Sequence, residues 1–236
     1  MKNYVLCVVD GKSTDHFVKD LASVGFLGRP RLYLSRANLL GSGAAKETRI
    51  SGDDVDAALS AAASAGSGIV ALRVNLDQVA RVGTLLKNAK DELSSLKPLE
   101  AFTQFFSDYE YIFIRQKTPA LHMTSNYFGA HGIKSPDDLA EKYNFEDSQI
   151  EFQRISSEYQ GWRKFFDRFD IKPITLVYEE CVESPDYVYE LLRRLGADSI
   201  SDVSNDREGL KRLTGPLKRD FLVKFKADQA EKLAMD

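Results

Sequence analysis

Five residues near the amino terminus, Asp10-Gly11-Lys12-Ser13-Thr14, have the types and order of an anion cradle. They follow Tyr4-Val5-Leu6-Cys7-Val8-Val9, an apolar run of strand length, and precede Phe17, Val18, Leu21 and Val24 at helical spacing. A strand that turns through small residues into a helix aims free backbone N–H groups and the positive end of the helix dipole into the turn. Lys12 adds a full positive charge, and Ser13 and Thr14 add hydroxyl donors. The chemistry this favours is the holding of phosphate or sulfate. Gly-Lys-Ser-Thr is also the end of the nucleotide loop G-x-x-x-x-G-K-[ST], but the first glycine of that motif would fall at Leu6, which argues against an ordinary NTPase. A plain surface turn after a first strand accounts for the same residues.

A second set of charges follows a second strand-like run. Tyr109 to Ile114 leads into Arg115-Gln116-Lys117-Thr118-Pro119, and Pro119 suits the first turn of a helix carrying Leu121, His122, Ser125 and Asn126. Two positive charges at a strand end beside a helix start make a second anion site, or a solvated strand end. Arg73 lies near the carboxyl end of another apolar run, Ile69-Val70-Ala71-Leu72-Arg73-Val74. Glu179 follows a fourth, Ile171 to Tyr178.

These groups need a scaffold that gathers strand ends. The four runs alternate with helical patterns over 53–65, 76–94 and 137–169 and from Ser184-Pro185-Asp186 onward. That alternation predicts an α/β domain with a mainly parallel sheet flanked by helices. In such sheets ligands bind beyond the carboxyl ends of the strands, so loop 10–14, Arg73, loop 115–118 and Glu179 would share one edge. Phe102, Phe105 and Phe106 form an aromatic cluster, and the single tryptophan, Trp162, is expected in the core or at a seam. Residues 35–52 are rich in small residues and read as a loop, residues 197–209 as another. The tail from about 210 carries Leu213, Phe221 and Phe225 as anchors at the edge of the fold. The whole of 1–236 is expected to form one domain.

Composition narrows the function. The 236 residues carry a net charge of −3, which disfavours non-specific nucleic-acid binding. No apolar stretch approaches the roughly 20 residues of a membrane span, and the short amino-terminal run reads as a strand rather than a signal peptide. Cys7 and Cys181 lie in or beside strand-like runs without metal spacing and suit buried free thiols. His16, His122 and His131 show no ligand pattern. A cytoplasmic protein without a metal is expected.

The order of pieces resembles the bacterial sulfotransferases of the trehalose 2-sulfotransferase type, which use 3′-phosphoadenosine 5′-phosphosulfate (PAPS). The likeness is strongest in Gly161-Trp162-Arg163-Lys164-Phe165-Phe166, Ile171-Lys172-Pro173-Ile174, Val177-Tyr178-Glu179, Ser184-Pro185 and Leu195-Gly196. These residues are similar to the family's W-x-x-F-F, G-I-x-P, Y-E, D-P and L-G. Gly28-Arg29-Pro30 is similar to its G-x-P turn, and Gly68 to Val74 to its second strand. The resemblance implies a P-loop-like, three-layer fold that moves a sulfuryl group from PAPS to a hydroxyl of a carbohydrate or glycolipid, and it suggests a homodimer. It places the sulfate-donor loop at Gly11, Lys12, Ser13 and Thr14, and the 3′-phosphate site at Arg115 and Ser125.

Four departures bear on activity. The family loop R-S-G-S-T becomes Asp10-Gly11-Lys12-Ser13-Thr14, which sets a carboxylate beside an anionic donor. The second-strand lysine becomes Arg73, and the helix motif Q-A-x-S becomes His122-Met123-Thr124-Ser125. Leu32 stands where the family has its general-base glutamate. In an active enzyme Lys12 and Arg73 would stabilise the transferring group, and His16 or His122 would replace the base. The alternative is an inactive, sulfotransferase-like binding or structural protein. A small kinase using Gly11-Lys12-Ser13-Thr14 is disfavoured, because the longer family pattern explains the same residues.

Overall fold

The computed structural model describes residues 3–23, 30–35, 38–39, 50–63, 69–184, 186–195 and 215–235. Four strands, β1 (Tyr4–Val8), β2 (Ala71–Asn75), β3 (Glu110–Arg115) and β4 (Ile174–Val177), form one sheet in the order β2-β1-β3-β4. Every pairing is parallel, with Val8 level with both Asn75 and Ile114, and Arg115 level with Val177. The helices that connect and flank the strands are α1 (Lys12–Ser23), α2 (Gly52–Ala62), α3 (Leu76–Ala89), α4 (Pro98–Phe105), α5 (Pro119–His131), α6 (Pro136–Lys142), α7 (Phe145–Arg168), α8 (Tyr178–Glu183), α9 (Tyr187–Arg194) and α10 (Pro216–Met235).

Side chains alternate across a strand, so the buried residues of β1 divide the core in two. Val5 and Cys7 pack with Val79, Val82 and Leu86 of α3, Met123 of α5, and Ile155 and Trp162 of α7. Tyr4, Leu6 and Val8 pack on the other face with Phe17 and Leu21 of α1 and with Val188, Leu191 and Leu192 of α9. Sequence periodicity and burial therefore agree on an α/β protein with helices on both faces of a parallel sheet. Phe221 and Phe225 of α10 pack in the first cluster, where Phe221 meets the rings of Tyr127, Phe128 and Tyr143.

The expected elements shift at several places. The helical pattern over 137–169 is two helices, because Tyr127 reaches the junction. Its hydroxyl donates to the Lys142 carbonyl at 2.9 Å and accepts from the Asn144 N–H at 2.9 Å, while the Asn144 side chain caps α7. The 76–94 pattern ends its α-helix at Ala89, and a 3-10 turn takes Asp91–Leu93. The fourth strand is only Ile174–Val177, and Tyr178, expected within it, opens α8. None of Leu32, Tyr33 and Leu34 joins the sheet, and Arg31 bridges to Leu72 at its edge. Helix α2 starts on a capping box between Ser51 and Asp54. Val24, the turn residues Gly28 and Arg29, residues 41–45 and 66–68, Pro185, Gly196, the 197–209 loop and Leu213 lie outside the described residues.

Asp170 has φ 49°, in the left-handed region, directly after α7. The Ile171 N–H then reaches back to the Phe166 carbonyl at 3.0 Å, which closes the helix in a Schellman-like turn. The G-I-x-P pattern has a glycine here. An aspartate is among the few residues that visit this conformation at modest cost.

Candidate functional site

The strand order places the switch point between β1 and β3, since the chain leaves β1 in one direction, toward β2, and leaves β3 in the other, toward β4. Ligands of doubly wound sheets bind at that crevice. Loop 9–11 follows β1 there, and loop 116–118 follows β3. A cavity of about 740 Å³ opens at the opposite edge, lined by residues that include Tyr109, Tyr111, Lys172 and Arg194 around the amino ends of β3 and β4. It touches none of the anion-binding candidates.

The loop after β1 is anchored from two sides. Trp162 of α7 donates its indole N–H to the Val8 carbonyl at 3.0 Å. His122 and Asn126, one turn apart on α5, both donate to the Asp10 carbonyl, from Nε2 at 3.0 Å and from Nδ2 at 3.1 Å. Thr14 turns its hydroxyl back onto the Val9 carbonyl at 2.6 Å. Gly11 lies against α5 so closely that a Cβ there would sit 2.3 Å from Asn126 Oδ1 and 2.4 Å from His122 Nε2. The glycine expected from the loop pattern is thus required by a helix distant in sequence. Ser13 and Thr14 are buried at the start of α1, and Lys12 is its first residue.

Asp10, which the sequence sets beside an anion, is paired. Its carboxylate accepts from Arg73 Nη2 at 3.3 Å and from Asn75 Nδ2, and Arg73 Nη1 also meets Asp15 at 3.0 Å. Arg73 therefore joins β2 to the loop after β1 and to the first turn of α1. With the Asp10 and Asp15 side chains about half exposed, each ion pair contributes about 0–1 kcal/mol to stability. One guanidinium facing two carboxylates offsets part of their negative charge.

Beyond β3, Arg115 donates to the carbonyls of Gln116 and Lys117, both at 3.3 Å. The Lys117 N–H donates to Glu179 of α8 at 2.8 Å, which ties the β3 and β4 ends together. Thr118 caps α5 by accepting the Leu121 N–H, with Pro119 at the first helical position. Gln116 is buried. Its backbone exchanges two hydrogen bonds with the Tyr159 hydroxyl, while its side-chain Nε2 is buried without an acceptor. Ser125 is buried in α5.

The two candidate histidines have distinct surroundings. His16 Nδ1 faces the Tyr178 hydroxyl at 3.1 Å. His122 is 0% exposed, with Nδ1 facing the Tyr159 hydroxyl at 3.3 Å. Nε2 faces a carbonyl and so carries a proton, and burial keeps the ring neutral at pH 7. Burial lowers its pKa to about 4; the charge of Arg154 works in the same direction, and the Asp10 carbonyl, Glu151 and the Asp10 charge oppose it. His122 thus positions the loop.

A folded-state value below the unfolded 6.5 means that the unfolded chain takes up the proton first as pH falls. The stability from neutral His122 is complete above about 6.5 and is lost as pH drops toward 4. At about 1.4 kcal/mol per unit, acidification from pH 7 to about 4.5 should remove roughly 2 kcal/mol. Urea unfolding at both pH values should show this loss in the wild type and not in His122→Gln, which keeps an N–H donor but cannot titrate. Equal pH dependence in both would assign the acid sensitivity elsewhere.

Sequence reasoning passed over a polar chain on α7. Asn126 Nδ2 also donates to Glu151 at 3.1 Å, and Arg154 holds Glu151 through two bonds of 2.7 and 2.8 Å. Arg154 Nη1 then meets Glu158 at 3.3 Å. The signal was present as carboxylates and an arginine at three- and four-residue spacing, Glu151, Arg154 and Glu158, on the same helix as Trp162. No group of three or more metal-ligating side chains occurs among the described residues, nor any helix long and apolar enough to cross a membrane.

Comparison with known proteins returns one family. The model of the Stf0 sulphotransferases matches residues 129–228. No curated protein matches the chain. The matched stretch runs from the end of α5 through α7, β4, α8 and α9 into α10, and so contains Trp162, Glu158, Tyr178 and Glu179. Loop 10–14, Arg73, Arg115 and Ser125 precede it.

Proposed function

With residues 129–228 carrying the Stf0 sulphotransferase family, we propose that this protein moves the sulfuryl group of PAPS to a hydroxyl of a carbohydrate or glycolipid. The observation that carries this reading is the convergence of two loop-to-helix junctions, at α1 and α5, on the β1/β3 switch point. One junction suits the sulfuryl and 5′-phosphate end of the donor. The other, with Arg115, Ser125 and the acceptor-less Gln116 Nε2, suits the 3′-phosphate. The residues therefore fit the group.

PAPS, when bound, supplies the activated sulfuryl group. Gly11 permits the close backbone approach, and the N–H groups at the start of α1, with Ser13 and Thr14, are proposed to hold its oxygens. Lys12 and Arg73 are proposed to offset the negative charge that spreads over the transferring oxygens. Arg73 also pairs with Asp10, which lessens the repulsion between the aspartate and the donor. His122 and Asn126 fix the loop from behind, and His16 is held to α8. The proposal includes a homodimer, from the family resemblance, and a cytoplasmic setting, which the buried free thiols of Cys7 and Cys181 suit.

One observation favours the second reading, a binding protein without chemistry. Leu32, at the expected base position, packs against the hydrophobic core. Calorimetric titration with 3′-phosphoadenosine 5′-phosphate, the desulfated donor, tests the cofactor site. We expect micromolar binding that a Lys12→Ala, Arg115→Ala double variant loses. Absence of binding by the wild type would overturn the sulfotransferase reading. Binding without turnover of radiolabelled PAPS would favour the second.

A further inference from the structure

Resting on that sulfotransferase reading, we propose that the Glu158 carboxylate takes the proton of the acceptor hydroxyl. Transfer forms a bond from the acceptor oxygen to sulfur and breaks the bond from sulfur to the bridging phosphate oxygen. The desulfated nucleotide leaves with that electron pair, and the acceptor proton passes to Glu158 and then to water. Leu32 cannot receive it.

Other candidates at this edge are committed elsewhere. Asp10 is held by Arg73 and Asn75, and Asp15 by Arg73. Both oxygens of Glu151 are bound by Arg154, and Glu179 accepts from the Lys117 N–H. His122 is sealed in the core, and His16 faces Tyr178. Glu158 lies farther from its guanidinium partner than Asp15 and Glu151 do from theirs. One oxygen meets Arg154 Nη1 at 3.3 Å, and the carboxylate accepts from the Leu76 N–H at the start of α3.

A second glycine marks this placement. A Cβ on Gly161 would sit 2.2 Å from Leu76 Cδ2, so the Leu76 side chain fills the space that this residue leaves where α7 meets the start of α3. The contact brings Glu158, nearly one turn earlier, to the carboxyl end of β2. Its side chain is 13% exposed, which leaves it open to an incoming hydroxyl yet largely dehydrated. The charges that face it are Arg154 from its own helix, Asp10 from the β1 loop and Asp77 from α3, with the Tyr159 hydroxyl adjacent in sequence. Burial, then the charges of Asp10 and Asp77, raise its carboxyl to about 7 against the pull of Arg154 and the Leu76 N–H. A base that is half ionised near neutral pH is well matched to proton transfer.

The test compares wild type, Glu158→Gln and Glu158→Asp, with folding checked by circular dichroism. In wild-type protein labelled with ¹³C at glutamate, the carboxyl signal absent from Glu158→Gln should titrate near 7. A midpoint near the ordinary 4.3 or so would overturn the proposal. Release of nucleotide from PAPS is then measured with water and with a panel of mono- and disaccharides as acceptors. Glu158→Gln should lose about 100- to 10,000-fold in kcat, keep the KM for PAPS, and lose the acidic limb of the kcat profile. Glu158→Asp should recover part of the rate. A Glu158→Gln enzyme within threefold of wild type, or one that keeps the acidic limb, would overturn the assignment. So would a wild type that binds the desulfated nucleotide but never cleaves PAPS. A wild type that fails to bind that nucleotide instead removes the sulfotransferase reading on which the proposal rests.

Discussion

Replacing Trp162 with alanine is expected to lower the free energy of unfolding by about 3–5 kcal/mol, the usual cost of emptying a large buried aromatic site. Trp162 is 0% exposed. It stacks on Phe166 with centroids 5.4 Å apart and meets Phe113 and Phe165 at 6.0 and 5.7 Å. These neighbours are themselves packed, so little can collapse into the space. Domains of ordinary stability have about 5–15 kcal/mol in all, so such a loss leaves little reserve. Trp162→Phe keeps a ring but loses the bond to the Val8 carbonyl, worth about 1 kcal/mol. It should therefore fall much closer to wild type. Urea unfolding followed by circular dichroism gives the comparison, since the protein's only tryptophan is the residue removed. A Trp162→Ala loss below about 1 kcal/mol would mean that the seam between α7 and β1 is not a principal support of the sheet.

The same seam shows what sequence could and could not convey. Runs of β-branched and aromatic residues separated by helical periodicity were enough for a parallel α/β sheet, because buried parallel strands have that composition. The breaks in periodicity were not legible. The junction between α6 and α7 depends on the Tyr127 hydroxyl, which arrives from α5, and no local propensity marks that contact. At the site, loop 10–14 and the strand ends were readable as a set, since topology alone gathers them. Their partners were not. Arg73 could be placed near its strand end, but not between Asp10 and Asp15. His122 could be placed on its helix, but not beneath a carbonyl of the loop. Glu158 drew no notice, because a glutamate on an amphipathic helix is ordinary until the fold brings that helix against α3. Such pairings join residues tens of positions apart, and their energetics are set by burial, which single-residue chemistry does not encode.

Gly11→Ala should therefore be the most damaging small change at the loop. An added methyl would lie 2.3 Å from Asn126 Oδ1 and 2.4 Å from His122 Nε2, well inside van der Waals contact. Neither partner can swing aside cheaply. His122 is enclosed between the Asp10 carbonyl and Tyr159, and Asn126 is tethered to both that carbonyl and Glu151. The loop must instead withdraw from α5 and give up the two bonds that fix Asp10. Overpacking of this kind costs about 1–3 kcal/mol in stability. Affinity for the desulfated nucleotide should fall tenfold or more, which corresponds to at least about 1.4 kcal/mol of displaced backbone contacts. Calorimetry on Gly11→Ala, on Asn126→Ala and on the double variant separates the steric cause from a general loss of loop order. If the clash is responsible, removing the Asn126 amide in the alanine background should restore part of the affinity, so the two effects will not add. Strictly additive losses would place the cause in the backbone of the loop itself, and unchanged affinity in Gly11→Ala would move the donor away from this junction.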